Sequence, residues 1–366
     1  MRPSYNEADI LSGPVFGRAF PFASFCKDTR RPGGAREVPM ASRLRRRKRS
    51  PWAVTLLLLL ILIGLSYAVV RVYFRAPDQK ADDSVMIQRV NGPVISEDLS
   101  DEEAEALRSH YERKPYFYTI LVSGRDDDNG GTDTNILLAL DGENDYIFGV
   151  SIPRDTKANI NGKNHKINFA YNAGGMELLA DTVSDQLGIP VDYTVLVNLK
   201  GFQALVDAIG GVDFYIPVDM NYEDPYQNLS IHFSKGMRHL SGAEALKVVR
   251  FREGYASQDI GRMQTQQDFL KAVAKQLMTP ASLLKLDEFC RIFLEYVDTE
   301  LTVGNLGWMG SEAAAMGTEN IEFATLPGDW KSPYIYLNQE EVLAMVNEHL
   351  NPYTEDRTLE DLNILT

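Results

Sequence analysis

Apolar positions along this chain fall into two regimes. Over 51–70 no residue is charged, and the stretch runs from Pro51-Trp52-Ala53-Val54 through five consecutive leucines to Val70. Helical residues rise about 1.5 Å each, so about 20 of them cross the roughly 30 Å hydrocarbon layer of a bilayer. The run is apolar on every face, which predicts a transmembrane helix rather than a half-buried one. From about 116 onward the apolar runs are short. Residues 118–122, 135–140 and 146–152 read as strands, bounded by Ser123-Gly124 and Asp141-Gly142. Further strands are expected at 191–197, 212–216 and 321–326. Helical spacing marks 175–187, 200–209, 241–249, 261–278, 281–297 and 303–316, with a last helix opening at Asn338. Gly210-Gly211 should stop the second of these helices, and Ser241 with Glu244 forms the capping-box pattern that starts the third. Helices interleaved with strands predict an α/β (α+β) domain. Its expected form is a three-layer α-β-α sandwich with a mixed central sheet, preceded by one transmembrane helix.

Charge divides the chain at the apolar run. The 366 residues carry a formal charge of −14, but residues 1–50 hold 12 Lys+Arg against 4 Asp+Glu and residues 71–366 hold 25 against 47. Basic flanks stay cytoplasmic, and Arg45-Arg46-Arg47-Lys48-Arg49 stands directly before the run. The expected topology is therefore a single-pass cell-membrane protein with its N-terminus inside and residues beyond about 71 outside. No small-x-small cleavage site follows the run, and Arg71 and Arg75 come next, which favours an anchor over a removed signal.

Residues 1–50 read as a cytoplasmic tail. Residues 1–39 lack periodicity and look like an over-long start before Met40. An acidic stalk is expected over 71–114, where Ser100-Asp101-Glu102-Glu103 can open a helix through Arg113. The folded domain is expected over 115–351 and a tail over 352–366. The acidic exported part argues against nucleic acid, which wants a basic surface. Cys26 and Cys290 fall on opposite sides of the membrane, so no disulfide is expected within the chain. The five histidines are scattered, and no Cys–His metal spacing, Walker loop, Ser-x-x-Lys or Gly-x-Ser-x-Gly motif is present.

Recurring arginines carry the candidate chemistry. Ser151-Ile152-Pro153-Arg154-Asp155 closes an expected β-hairpin, and Arg250-Phe251-Arg252 straddles a helix end. Arg262 and Gln266, four apart, share a helix face, with Asp259 one turn earlier. Guanidinium is always charged and matches phosphate oxygens in pairs, so the set suggests a bound polyanion; isolated surface ion pairs are the alternative. Asp126 and Asp133 flank the loop Asp127-Asp128-Asn129-Gly130-Gly131. They could hold Mg²⁺, which takes one or two carboxylates and completes its shell with water and phosphate oxygens, or they could simply belong to an Asp/Gly-rich loop. Lys166 could add a cation.

The order of these pieces resembles the LytR-CpsA-Psr family. The segments that carry the resemblance are Gly124-Arg125-Asp126, Thr132-Asp133-Thr134, Ser151 to Asp155, Lys166-Ile167-Asn168, Gly210-Gly211-Val212, Ala245-Leu246, Arg250-Phe251-Arg252 and Asp259-Ile260-Gly261-Arg262 with Gln266. They span about 116–280. The resemblance implies a membrane-anchored phosphotransferase that moves a glycopolymer phosphate from a polyprenyl pyrophosphate carrier to peptidoglycan. It implies Asp126 and Asp133 as Mg²⁺ ligands, and Arg154, Arg250, Arg252, Arg262 and Gln266 around the pyrophosphate. Asp259 is implied as base or as an orienting group for Arg262. An apolar tunnel for the lipid tail would lie near 202–209, positions equally readable as core. The chain departs from the family pattern at Gly131 and Thr265, where many members carry arginine. A polyprenyl-pyrophosphate hydrolase and a non-catalytic lipid-carrier-binding or wall-regulatory protein are the rival readings.

Overall fold

The computed structural model describes residues 60–62, 74–79, 111–126, 131–225, 229–255, 259–279, 282 and 285–365, with Asp126, Asp259, Ile260 and Leu286 described by backbone alone. The expected transmembrane run lies outside these apart from 60–62. Among the described residues no helix is long and apolar enough to cross a membrane. Most of the expected stalk also lies outside, and so does the expected helix up to residue 110; at its end, 111–113, the chain forms a turn and a β-bridge at Arg113 rather than helix.

Six strands build the central sheet. β1 (Phe117–Asp126), β2 (Gly131–Asp141) and β3 (Tyr146–Ser151) form an antiparallel meander. β6 (Tyr193–Asn198) lies parallel to β1, β12 (Ile321–Thr325) parallel to β3, and β11 (Val297–Thr299) antiparallel to β6 at the edge. The order β11-β6-β1-β2-β3-β12 makes the sheet mixed, as the sequence predicted. Between these strands run α1 (Asn168–Leu187), α2 (Leu199–Ala208), α3 (Gly242–Arg250), α4 (Asp259–Leu277), α5 (Leu286–Tyr296) and α6 (Val303–Met316), and α7 (Gln339–Met345) follows the last of them.

The period of two sorts side chains to the two faces. Phe117, Leu121, Leu137, Ala139, Phe148 and Val150 pack with Leu179 and Val183 of α1 and with Val342 of α7. Tyr118, Ile120 and Leu140 point the other way, against Met309 and Met316 of α6. A third cluster joins Val206 of α2, Ala245 and Val248 of α3, and Phe269 and Val273 of α4 to Phe214 and Ile216 of β7 (Val212–Ile216). The 202–209 segment belongs to this cluster: Val206 is fully buried, and the Phe202 ring lies 5.7 Å from that of Phe269.

Helix starts follow local chemistry. The Ser241–Glu244 capping box is formed at α3, and Asn338 accepts from the Glu341 amide at α7. α1 begins earlier than predicted. Its first turns precede a kink at Gly174-Gly175, where Gly175 has φ +71°, and the predicted helix begins at that kink. Four two-stranded ribbons were not predicted: β4 (Lys157–Ile160) with β5 (Lys163–Lys166), β7 with β10 (Gly236–Leu240), β8 (Met220–Asp224) with β9 (Leu229–Phe233), and β13 (Gly328–Lys331) with β14 (Tyr334–Leu337).

The domain ends are clasped, so both predicted boundaries move outward. Arg113 bridges Tyr353, with backbone bonds from Lys114 to Pro352 and from Thr354 to Glu112. Tyr353, Leu362 and Ile364 belong to the core, so residues 352–365 are not a loose tail. Residues 74–79 also lie on the domain. The Tyr118 hydroxyl donates to the Pro77 carbonyl at 3.0 Å, Tyr193 donates to Asp78, and Gln79 donates to the carbonyls of Lys114 and Phe117. Burial first, then the charges of Tyr193 and Asp192, pushes the Tyr118 phenol up to about 12, so it remains a donor. Arg113 forms a two-pronged bond to the fully buried Asp192, at 2.7 and 2.8 Å.

Candidate functional site: an arginine cluster around Asp133

A β-bulge places the centre of the site. Gly124 pairs with Thr134 and Arg125 with Thr132, which leaves Asp133 as the extra residue on β2. Bulges bend the strand and re-aim a side chain. Asp133 is thereby presented to three arginines from distant parts of the chain.

Arg154 comes from the loop after β3. Ile152 and Pro153 are buried and hold that loop down, and the Thr156 amide closes a turn on the Pro153 carbonyl. Arg154 donates to Asp133 Oδ1 at 2.8 Å. Arg252 follows the end of α3, where Phe251 drops into the core and leaves Arg252 directed outward. It donates to Asp133 Oδ2 at 3.1 Å. Arg262 sits in the first turn of α4, 4% exposed, and its charge also acts on Asp133.

Burial alone would raise the Asp133 pKa. The hydrogen bond from Arg154 and the charges of Arg154, Arg252 and Arg262 outweigh it, and the carboxyl titrates below its ordinary 3.8. Guanidiniums from three separate segments thus converge on one carboxylate, and groups of this kind match phosphate oxygens in pairs. A depressed carboxylate contributes stability above its unfolded pKa and loses it as pH falls through the folded value. Asp133→Asn is therefore expected to remove part of the acid-side loss of stability below about pH 4, read as denaturant midpoints taken down to about pH 2. Unchanged acid sensitivity in the variant would contradict the ion cluster.

The other candidate residues occupy separate positions. Lys166 bonds Asp155 Oδ1 at 2.8 Å, and Asp155 Oδ2 lies 4.0 Å from Arg154 Nε, so Lys166 joins the cluster through one carboxylate. Gln266 donates to the Val249 carbonyl at 3.0 Å, next to Arg250 at the end of α3. Asp259 opens α4, one turn before Arg262. Asp126 pairs through its backbone with Gly131, two residues before Asp133. Thr265 is buried, its hydroxyl bonded to Tyr255 and to the Gly261 carbonyl, so packing occupies this position.

Two further residues hold the site together, Asp155 from the quoted motif and Gln267, which the sequence did not single out. Asp155 links the two cationic groups. Gln267, 2% exposed, donates to Ser151 Oγ, the Ala324 carbonyl and Thr325 Oγ1. It ties α4 to the ends of β3 and β12, and so fixes Arg262 relative to the loop that carries Arg154.

A mixed sheet with helices on both faces and guanidinium groups gathered at a strand bulge defines an α+β domain with an arginine-lined polar site. The chain belongs to the LytR_cpsA_psr family, whose model matches residues 87–356. It is 31% identical over 280 residues to the polyisoprenyl-teichoic acid–peptidoglycan teichoic acid transferase TagU of Bacillus cereus, covering 76% of this chain and 87% of that protein. To the transferase of the same description, TagV, from Bacillus subtilis it is 28% identical over 319 residues, covering 82% of this chain and 78% of that protein. The crystal structure of B. subtilis TagV superposes with a TM-score of 0.58, over 66% of this chain and 100% of that one, at 28% identity. A structure of TagT bound to LIIa-WTA superposes with a TM-score of 0.53 at 25% identity, over 64% of this chain and 89% of that one.

Proposed function

We propose that this protein is a membrane-anchored phosphotransferase. It moves a glycopolymer phosphate from a polyprenyl pyrophosphate carrier to a peptidoglycan hydroxyl outside the cell membrane. The observation that carries the reading is the convergence of Arg154, Arg252 and Arg262 on one ionised carboxylate. The named relatives supply the substrate class.

The reaction balances as follows. The acceptor oxygen attacks the phosphorus that bears the glycopolymer. The bond from that phosphorus to the bridging oxygen breaks, and polyprenyl phosphate departs with its electrons. The acceptor proton passes to solvent or to a nearby carboxylate. Charge grows on the departing phosphate, and positive groups fixed in place beforehand stabilise it more than they stabilise the bound donor. Arg154 and Arg252 are fixed in this sense because Asp133 holds them at 2.8 and 3.1 Å.

Mg²⁺ fits the donor set by type. Asp126 and Asp133 come to one end of the β1–β2 ladder, and Asp133 is held ionised. Those two residues would hold the ion, with water and phosphate oxygens completing its shell, and it would neutralise phosphate charge. Among the described residues no group of three or more His, Cys, Asp or Glu is placed to hold a metal. The polyprenyl tail stays in the bilayer, so an anchor at 51–70 would keep the domain at its donor.

The full-length protein in proteoliposomes is expected to join a polyprenyl-pyrophosphate-linked glycopolymer to a peptidoglycan fragment. EDTA should stop the reaction and added Mg²⁺ should restore it, with products followed by mass spectrometry. Release of polyprenyl phosphate without a glycan-linked product would make the protein a hydrolase instead.

A further inference from the structure

An open cleft of about 280 Å³ lies beside the arginine cluster, and its lining suits a sugar better than a phosphate. Its walls come from the end of β5, the first turns of α1 and the β13–β14 ribbon. Phe169 is 40% exposed, and its ring is stacked on His165 with centroids 4.1 Å apart. Tyr334 also lines the cleft, its hydroxyl donating to the Asn164 carbonyl at 3.3 Å. Asn168 and Asn172 bring side-chain amides, and Lys166 is the permanent cation of the lining.

Both ends of the cleft touch the site already described. Lys166 is bonded to Asp155, beside Arg154. The Asn172 amide lies 3.8 Å from where a Cβ would stand on Gly131, two residues before Asp133. Next to the lining residue Tyr334, the Ile335 amide donates to the Asp155 carbonyl at 2.9 Å, which ties β14 to the Arg154 loop.

We infer that this cleft is the subsite for the acceptor glycan, a peptidoglycan saccharide whose hydroxyl is delivered to the phosphate held by the arginines. The inference rests on the transfer reaction proposed above. Sugar rings present C–H faces to aromatic rings, and their hydroxyl and acetamido groups pair with carboxamides, which act as both donor and acceptor. Phe169, Asn168 and Asn172 supply both kinds of group within one lining. The donor polymer is the competing occupant. A teichoic acid carries repeated phosphates and would call for several cations, whereas the ammonium of Lys166 is already engaged by a carboxylate. The lining therefore favours the acceptor.

The test uses full-length protein in proteoliposomes, with purified disaccharide-peptide fragments of peptidoglycan as acceptor. Phe169→Ala is expected to raise the acceptor KM about tenfold, the scale of one lost aromatic contact. Donor KM and acceptor-free donor hydrolysis should stay within about twofold of wild type, and Phe169→Tyr should restore the acceptor KM. Asn172→Ala should act in the same direction. A parallel titration follows the fragment by NMR on wild type and on Phe169→Ala, with no donor present. Binding to the wild type that weakens in the variant supports the inference even if the turnover reading fails. Equal binding to both proteins, no binding to either, or a rise in donor KM at constant acceptor KM overturns it.

Discussion

Replacing Arg154 with alanine is expected to reduce transfer by on the order of a thousandfold, with the fold intact. The size follows from two losses that share one cause. Removing one fixed donor from a developing oxyanion costs about a hundred to a thousandfold in turnover. Arg154 also makes the shorter of the two contacts that hold Asp133, so its loss frees the carboxylate to rotate and raises its pKa. Arg252 would then face Asp133 alone, and the geometry of the remaining guanidiniums would loosen. Arg154→Lys keeps a charge but not the planar fork, and should recover little. The measurement is kcat and KM for transfer, with circular dichroism to confirm folding. The loss should fall mainly on kcat, because the charge grows after binding. Full activity in Arg154→Ala would remove the basis of the functional assignment.

Asp192→Ala is expected to cost about 3–5 kcal/mol of folding stability, far from the arginine cluster. Asp192 is fully buried and takes both prongs of Arg113. It also accepts from the Thr119 amide at 2.9 Å and from the Thr119 hydroxyl at 3.1 Å. Truncation would leave a guanidinium, an amide and a hydroxyl facing a void that water cannot fill well. The pair also clasps the start of the domain to the turn before β6, on which the parallel β1–β6 pairing depends. Removing Arg113 as well should cost less than the sum of the two single changes, because the orphaned charge disappears. Urea denaturation of the three variants measures this. A single-variant cost under about 1 kcal/mol would show that solvent reaches the pair.

The sheet was legible because both its faces are covered. Strand runs such as 135–140 are apolar at nearly every position, and the structure sends alternate members to α1 and to α6. Of the ribbon strands only β7 was expected; the others are short, and β5 and β13 are largely polar. β5 reads Lys-Asn-His-Lys, and only the turn residues Asn161 and Gly162, both with positive φ, mark the hairpin. At the site, residue type was visible and partnership was not. Asp133 reads as a candidate metal ligand in the sequence, and nothing there shows that it also anchors Arg252, 119 residues away. Gln266 was singled out over Gln267 because it shares a helix face with Arg262. The structure turns Gln266 to a helix-end carbonyl and gives Gln267 three partners across the sheet edge. Helical spacing shows which residues face the same way, but not what lies opposite them.

The surplus residue in β2 sets two selective pressures against each other. A descendant that lost one position between Gly131 and Asn135 would gain an unbroken ladder, and with it a sturdier fold, while giving up the presentation of the carboxylate. Random mutation under a demand for robustness alone would drift toward that shorter loop. The number of residues in this stretch, more than their identity, is the trait to compare when asking which descendants have kept the ancestral chemistry.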